Sequence, residues 1–265
     1  MENDKIRAGI MELRELMKSK DDDSYVSGQN QGLPQPPLAK ENVSDKIIPL
    51  TDNFEHIIQN NDFLNILNTR TSKRKYTEES LTLDEVAFLL WATQGVKQVI
   101  GRQKKATMRT VPSAGARHPF ETYLFINRVK GLEQGLYHYL ALEHKLEYLG
   151  PVQDQADQVS KAYGGQVFLG NAPVAFVWTV IPYRTEWRYT INAQKYALLD
   201  AGHLCQNLYL ASESIGCGAC GIGAYEQPLA DGLLGLDSKP SDAEDNEFVV
   251  YAAAVGKIDK SPEQI

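Results

Sequence analysis

Apolar residues first recur at helical spacing. Ile6, Ile10, Leu13 and Met17 mark one face of residues 4–18 and predict an amphipathic helix. Periodicity then stops across the acidic run Asp21-Asp22-Asp23 and the proline cluster of residues 32–37 (GLPQPP). That stretch predicts an extended arm, either a strap lying over this protein or a second copy of it, or a polyproline-type ligand for another protein. Residues 54–67 predict a helix that stops before the basic segment 70–76 (RTSKRKY). Thr82-Leu-Asp-Glu85 has the form of a capping box and opens a helix that Gly95 closes.

Beyond residue 120 the pattern turns strand-like. Residues 121–127 form one predicted strand, and 136–140 with 145–149 a hairpin. Residues 172–180 (APVAFVWTV) are β-branched and aromatic enough for a central strand, with Pro173 at its start, where a missing N–H is tolerated. Helices are expected over 154–162, 193–214 and 228–234, a glycine-rich loop at 216–223, and a last strand over 247–256. This irregular alternation, with a hairpin, fits an α+β fold with a mixed sheet better than a doubly wound one. Residues 1–45 read as an N-terminal helix and arm, and 46–265 as one domain.

Composition narrows the function classes. With 265 residues, 43% hydrophobic and 23% charged, the chain can bury a substantial core. A net charge of −7 disfavours nucleic acid as a partner, because phosphate binding needs a basic surface. The local run Arg102-Gln-Lys-Lys105 reads as a solvated loop in preference to a docking patch. Three cysteines make no disulfide framework in a chain of this size, which fits a reducing compartment. The Met-Glu-Asn-Asp start has no signal-peptide pattern, and the longest apolar run, near 174–181, falls short of the ~20 residues of a membrane helix. A soluble, cytoplasmic protein without a membrane partner is expected.

Four segments carry candidate chemistry. Arg70 and Arg74, with Thr71 and Ser72 between them, bring two guanidinium forks and hydroxyls to one side, suited to a phosphate or to the electron-rich edge of a flat heterocycle; a solvated basic helix end is the plainer alternative. Residues 110–121 (TVPSAGARHPFE) form a loop of small residues, stiffened by Pro112 and Pro119, whose backbone can approach a flat polar ligand. The stretch 216–221 (GCGACG) satisfies G-x-G-x-x-G, but a helix precedes it and no helix follows at once, so a dinucleotide-binding turn is disfavoured. Its Cys217 and Cys220 lack the second pair a structural zinc site would want, so no metal site is expected. The helix 194–207 (QKYALLDAGHLCQN) is heavily polar for a core element. Lys195 beside Tyr196 suits proton transfer, since desolvation favours a neutral amine, whereas His203 reads as structural, in the core or at an interface.

Taken in order, RTSKRKY, TVPSAGARHPFETYLF, KYALLDAGHLCQNLYLAS, GACGIGAYE and EFVVYAAAVGK resemble the nitroreductase-like flavoproteins. More narrowly they resemble the SagB-type dehydrogenase branch, which includes azoline oxidases. The resemblance spans about Arg70 to Lys257. It implies a largely antiparallel central sheet flanked by helices, and an intertwined homodimer with FMN at its interface. It further implies that Arg70, Thr71, Ser72 and Arg74 contact the FMN phosphate, ribityl chain or pyrimidine, and that Pro112, Ser113, Ala114 and Gly115 face the flavin from the partner copy. Gly221, Ile222 and Gly223 would lie along the ring, with Gly256 and Lys257 near the phosphate. Lys195 and Tyr196 would be catalytic, one of them taking the acidic proton next to the carbonyl-bearing carbon of an azoline. Substrate-facing positions would fall near 102–108 and 183–192, Trp187, Arg188 and Tyr189 among them. Two other functions stay open: an NAD(P)H-dependent nitro or quinone reductase, and a non-catalytic flavin-binding scaffold subunit.

Overall fold

The protein is described here by a computed structural model, which covers residues 2–18, 24–102, 106–236 and 246–259. The run Asp21–Asp23 and residues 103–105 of the basic loop lie outside the described residues. Helix α1 (Glu2–Met17) is followed by a short α2 (Gly28–Gln31), capped by Ser27, whose hydroxyl accepts from Asn30 N–H at 3.2 Å. After β1 (Ile47–Pro49) come α3 (Phe63–Thr69) and α4 (Leu83–Gln94). The single helix expected over 54–67 is therefore shorter. A 3-10 turn at Glu55–Ile57 is followed by an extended break, and the Asp62 carboxylate accepts from Asn65 N–H to start α3 afresh. The capping box forms as expected: Glu85 N–H donates to Thr82 Oγ1, and Thr82 N–H donates to Glu85 Oε2.

A hairpin not foreseen from the sequence, β2 (Val96–Ile100) with β3 (Ala106–Arg109), stands apart from the main sheet. The remaining elements are β4 (Phe120–Ile126), β5 (Gly135–Leu140), β6 (Lys145–Gly150), α5 (Gln155–Ala162), α6 (Val167–Gly170), β7 (Val174–Val180), α7 (Tyr183–Tyr189), α8 (Ala193–Ser214), β8 (Cys217–Ile222), α9 (Gln227–Leu233) and β9 (Phe248–Lys257).

Seven strands pair in the order β1-β6-β5-β4-β7-β9-β8, every neighbour antiparallel. Among the described residues, parallel pairing survives only as single bridges, Ser72 with Ala219 and Leu81 with Val129. The expected largely antiparallel α+β architecture holds. Alternation along the strands sends Leu124, Phe176 and Val255 toward α4 and α8, and Tyr123, Phe125 and Val177 toward α5, α6 and α9. The sheet is thus a middle layer with a core on each face. Among the described residues, no helix is long and apolar enough to cross a membrane.

The glycine cluster is a strand, not the expected loop. β8 pairs along its length with β9, whose Ala252, Ala253 and Ala254 are small enough for close layers. A Cβ on Gly218 would come within 2.6 Å of Lys73 and Ile258 side-chain atoms, and one on Gly221 within 2.6 Å of Tyr251 Oη. Glycine is used here for close approach, a reason that outweighs its poor strand propensity. Cys217 and Cys220, three apart on a strand, fall on opposite faces, and all three cysteines are buried thiols outside any disulfide.

The proline-rich arm is a strap on its own chain. Trp187 Nε1 donates to Leu33 O at 3.2 Å, and Arg109 Nη2 to Leu38 O at 3.2 Å. Farther along, Lys40 N–H donates to Glu121 Oε1, and Val43 and Ser44 N–H both donate to Glu147 Oε2. Lys40 Nζ closes an ion pair with buried Glu247 at 2.6 Å.

Candidate functional site

Helix α8 is the spine on which the predicted residues are arranged. Tyr196, Asp200, His203 and Asn207 recur at i, i+4, i+7 and i+11, on one face. Asp200 on that face is buried and anchors the small-residue loop. Ser113 Oγ donates to Asp200 Oδ2 at 2.6 Å, and Ala114 N–H points at both carboxylate oxygens at 3.3 Å. Burial raises the Asp200 pKa, and these two donors pull it back. Ser113 Oγ in turn accepts from His118 N–H at 2.9 Å, closing the loop on itself.

Three residues of that loop sit in the left-handed region: Gly115 (φ +57), Ala116 (φ +53) and His118 (φ +46). Two of them carry side chains, so the loop holds strain that its surroundings must enforce. His118 helps. Burial, together with Arg109 and Arg117, pushes its pKa down to about 3, so the ring is neutral at physiological pH and Nε2–H donates to Thr107 O at 3.2 Å. His203 is about half exposed, its Nδ1 3.9 Å from Asp200 Oδ1, so of the two structural readings, core or interface, it is not a core histidine of the single chain.

Nine residues farther along α8, Tyr209 gathers a second cluster. Gly221 N–H donates to Tyr209 Oη at 2.6 Å, which leaves that hydroxyl to donate to Ser72 Oγ at 3.0 Å. The Arg70 guanidinium lies over the Tyr209 ring, 5.2 Å from its centroid, and Arg74 lies 5.9 Å from the Phe168 centroid. The segment carrying them runs along the free edge of β8, held by Lys73 N–H to Ala219 O at 2.9 Å and by the Ser72–Ala219 bridge. Thr71, Ser72 and Arg74 are exposed. Among the described residues neither Arg70 nor Arg74 forms an ion pair. Gly223, where β8 runs out, faces open space on its Cβ side, whereas Ile222 is buried on the opposite side of the sheet from α8.

The last two predicted positions are engaged within the chain. Gly256 is covered by the Tyr76 ring, which a Cβ would meet at 2.6 Å, and Lys257 Nζ pairs with Glu85 Oε1 of the capping box. The exposed edge at 70–74 and Gly221 is therefore assembled, while Gly256 and Lys257 stand behind it.

Loop 112–115 and this edge do not meet in one chain. Asp200 and Tyr209 are about 14 Å apart by helical rise, and each holds its own group. Lys195 and Tyr196 belong with the loop. Buried Lys195 places Nζ 5.2 Å from the Tyr196 centroid, and Tyr196 packs on Tyr189 with centroids 4.6 Å apart. Sequence reasoning missed Tyr209 as the hub of the edge cluster. Its only signal was a tyrosine fourteen residues, close to four turns, beyond Lys195 on the same helix.

Residues 67–257 match the family model described as the nitroreductase family. A protein of Methanocaldococcus jannaschii named as a nitroreductase is 32% identical over 160 residues, covering 60% of this chain and 77% of that protein. The microcin B17-processing protein McbC of Escherichia coli is 30% identical over 112 residues, 41% of either chain. The trifolitoxin-processing protein TfxB of Rhizobium leguminosarum bv. trifolii is 28% identical over 134 residues, 49% of this chain and 36% of that one. The match thus spans well under half the length of either processing protein. In fold, the chain superposes on a nitroreductase structure from Ralstonia eutropha with TM-score 0.64 at 23% identity, covering 86% and 96% of the two chains. A chain of the E. coli microcin synthetase McbBCD complex gives TM-score 0.57 at 20% identity, covering 73% of each. With nearly three quarters of its length matched by the family model and the same antiparallel architecture in its structural neighbours, this chain belongs to the nitroreductase family.

Proposed function

We propose that the chain is an FMN-dependent oxidoreductase of the SagB type, working as a homodimer and oxidising an azoline-like heterocycle. One observation carries the reading. Two guanidinium groups without carboxylate partners among the described residues, together with the exposed Thr71 and Ser72 hydroxyls, line the edge of β8 beside Gly221, which is the donor set a phosphate and a flat ring require. Arg70, Thr71, Ser72 and Arg74 fit the phosphate and polar rim of FMN, and Gly221 and Gly223 fit its ring. Bound there, FMN would supply a two-electron acceptor.

The loop Pro112–Gly115 is anchored at Asp200, about 14 Å of helical rise from Tyr209 at that edge, which favours a second copy supplying Pro112, Ser113, Ala114 and Gly115 across an interface. Lys195 and Tyr196 travel with that loop. In this reading one of them removes the proton next to the carbonyl-bearing carbon, and Asp200 holds the loop through Ser113. Likeness to the two peptide-processing proteins favours a heterocyclic substrate over a nitroarene.

The test is the absorption spectrum of the purified protein before and after anaerobic addition of an azoline peptide or of NADPH. Bleaching of a flavin band by the azoline and not by NADPH is expected. Bleaching by NADPH alone would make the chain a reductase, and absence of a reducible band would make it a scaffold. The Lys195→Ala, Tyr196→Phe double variant should keep its flavin and lose at least a hundredfold in azoline turnover, the usual scale of a lost acid–base group.

A further inference from the structure

Helix α3 turns most of its apolar residues away from its own chain. Ile66 is buried, but Phe63, Leu64 and Leu67 are 63%, 67% and 46% exposed, at i, i+1 and i+4 along one stripe. Large apolar side chains gathered in this way mark a contact with another macromolecule.

A groove of about 400 Å³ lies between α4 and α8, walled by Phe88, Trp91 and Leu210. Its aromatic wall is fixed from behind. Phe54 packs on both Phe88 and Trp91 with centroids 5.4 Å apart, and a Cβ on Gly95 would lie 2.5 Å from Trp91 Cδ1, so the indole rests on bare backbone. The hydrogen-bonding groups of the groove are spent within the chain: Thr110 Oγ1 donates to Trp91 O, Asn207 Nδ2 to Ala92 O and Ser214 Oγ to Ala211 O, each at 2.8 Å. What remains is apolar surface with the exposed Lys97 beside it.

Stripe and groove match in size and place. From Asn207 to Ser214 the groove follows roughly 10 Å of helical rise, the length of α3. A void of about 150 Å³ accepts a benzene ring, so this groove accepts two or three side chains of the size of Phe63, Leu64 and Leu67. Both surfaces belong to one end of α8, where Gln59 and Asn60 N–H donate to Ser214 O at 2.9 and 3.0 Å. Held there, α3 keeps its stripe exposed and leaves its own groove open. Two complementary surfaces on one chain, neither covered by the other, suit an isologous contact in which each copy gives its stripe to the other's groove. Charge agrees: Asp62 opens α3 and Lys97 flanks the groove, and neither forms an ion pair among the described residues.

We propose that α3 of one copy docks in the α4–α8 groove of a second copy of this chain, with Phe63, Leu64 and Leu67 against Phe88, Trp91 and Leu210. The inference deepens the proposed function and rests on it for the pairing of loop and edge. Thr110 of the groove stands two residues before Pro112, and Thr69 ends α3 directly before Arg70. The docking that brings Pro112–Gly115 of one copy to residues 70–74 of the other therefore brings α3 to the groove, and the contact positions the cofactor edge.

Cross-linking of the full chain tests it. Leu64→Cys and Lys97→Cys chains, co-expressed with different tags, should join into a covalent heterodimer with a short bismaleimide; both sites are exposed, and the three native thiols are buried. Leu64→Glu should weaken the dimer in sedimentation equilibrium by about a hundredfold, since one leucine-sized burial is lost twice, with far-ultraviolet dichroism unchanged. Linkage within a single chain would show that α3 serves its own groove and would overturn the contact. So would a native dimer whose Lys97→Cys thiol stays open to a bulky maleimide, which would leave the groove to another partner. A monomeric native chain would overturn both this contact and the dimer of the proposed function. A cross-linked dimer that binds no FMN would sink that function and leave the contact standing, whereas a flavin-bearing dimer without the cross-link would do the reverse.

Discussion

Gly115 is where the constraints on the loop meet. Its φ of +57 suits glycine, and its missing Cβ makes room for Arg188 and Tyr189. Gly115→Val adds a β-branched side chain in the left-handed region and a collision at under 3 Å, so the loop must leave Asp200 to accept it. Flavin per chain is expected to fall below half, while far-ultraviolet dichroism stays unchanged because the sheet and α8 do not depend on the loop. Full flavin content in the variant would refute the role given to Pro112–Gly115. The sequence announced this loop through its two prolines and small residues. It did not announce Arg117 or Ala116, because nothing in an Ala-Arg pair signals that one is left-handed and the other turned back onto Gly115 O and over the Trp187 ring. Local signals such as Thr82 to Glu85 were legible because capping is settled within four residues.

At the scale of elements, α8 and β8 depend on one another through Tyr209. Its hydroxyl accepts from Gly221 N–H on the exposed edge of the sheet, and its ring carries Arg70. Tyr209→Phe leaves that N–H without its partner and frees Ser72. A loss of about 1–3 kcal/mol is expected, the usual cost of an orphaned, partly buried donor. It should appear as a lower denaturant midpoint at unchanged slope, together with weaker flavin retention. A shift under about 0.5 kcal/mol, the scale of an ordinary surface substitution, would show that the edge is held by Lys73 and Ala219 alone. The same two elements mark the limit of sequence reasoning. The 22-residue α8 was readable from its length and pattern, whereas β8 looked like a loop because its glycines answer to Lys73, Tyr251 and Ile258, which are distant in the chain. The β2–β3 hairpin and the break before Asp62 escaped for a related reason. Their polar, mixed composition gains its meaning only from the elements around them.

At the scale of the whole molecule, the strap is tied down by buried charge rather than by apolar burial. His138 lies between two carboxylates, Nδ1 2.7 Å from Glu147 and Nε2 3.0 Å from Glu121, and its ring stacks on Tyr123. Arg184 of α7 pairs with Glu121 at 2.6 Å, and the strap donates its own N–H groups to Glu121 and Glu147. Burial alone would lower the His138 pKa, but the two carboxylates outweigh it and lift it to about 9. For Glu121, burial pushes upward and is outweighed by Arg184 and His138, so it titrates well below the usual carboxylate range. The folded protein therefore binds more protons at His138 than the unfolded chain does between pH 6.5 and 9. Stability from this histidine is complete below 6.5 and is lost as pH rises through about 9. The carboxylate contribution has the opposite sign, present above about 4.5 and lost on acidification below it. Denaturant midpoints should thus fall steadily from pH 6.5 to 9, and His138→Gln should flatten that slope while lowering stability at pH 6. Proteolysis at the strap, followed over the same range, should quicken with pH in the native protein, because Lys40, Val43 and Ser44 dock on carboxylates that lose their shared proton donor. An equally steep slope in the variant would place the alkaline loss elsewhere in the molecule.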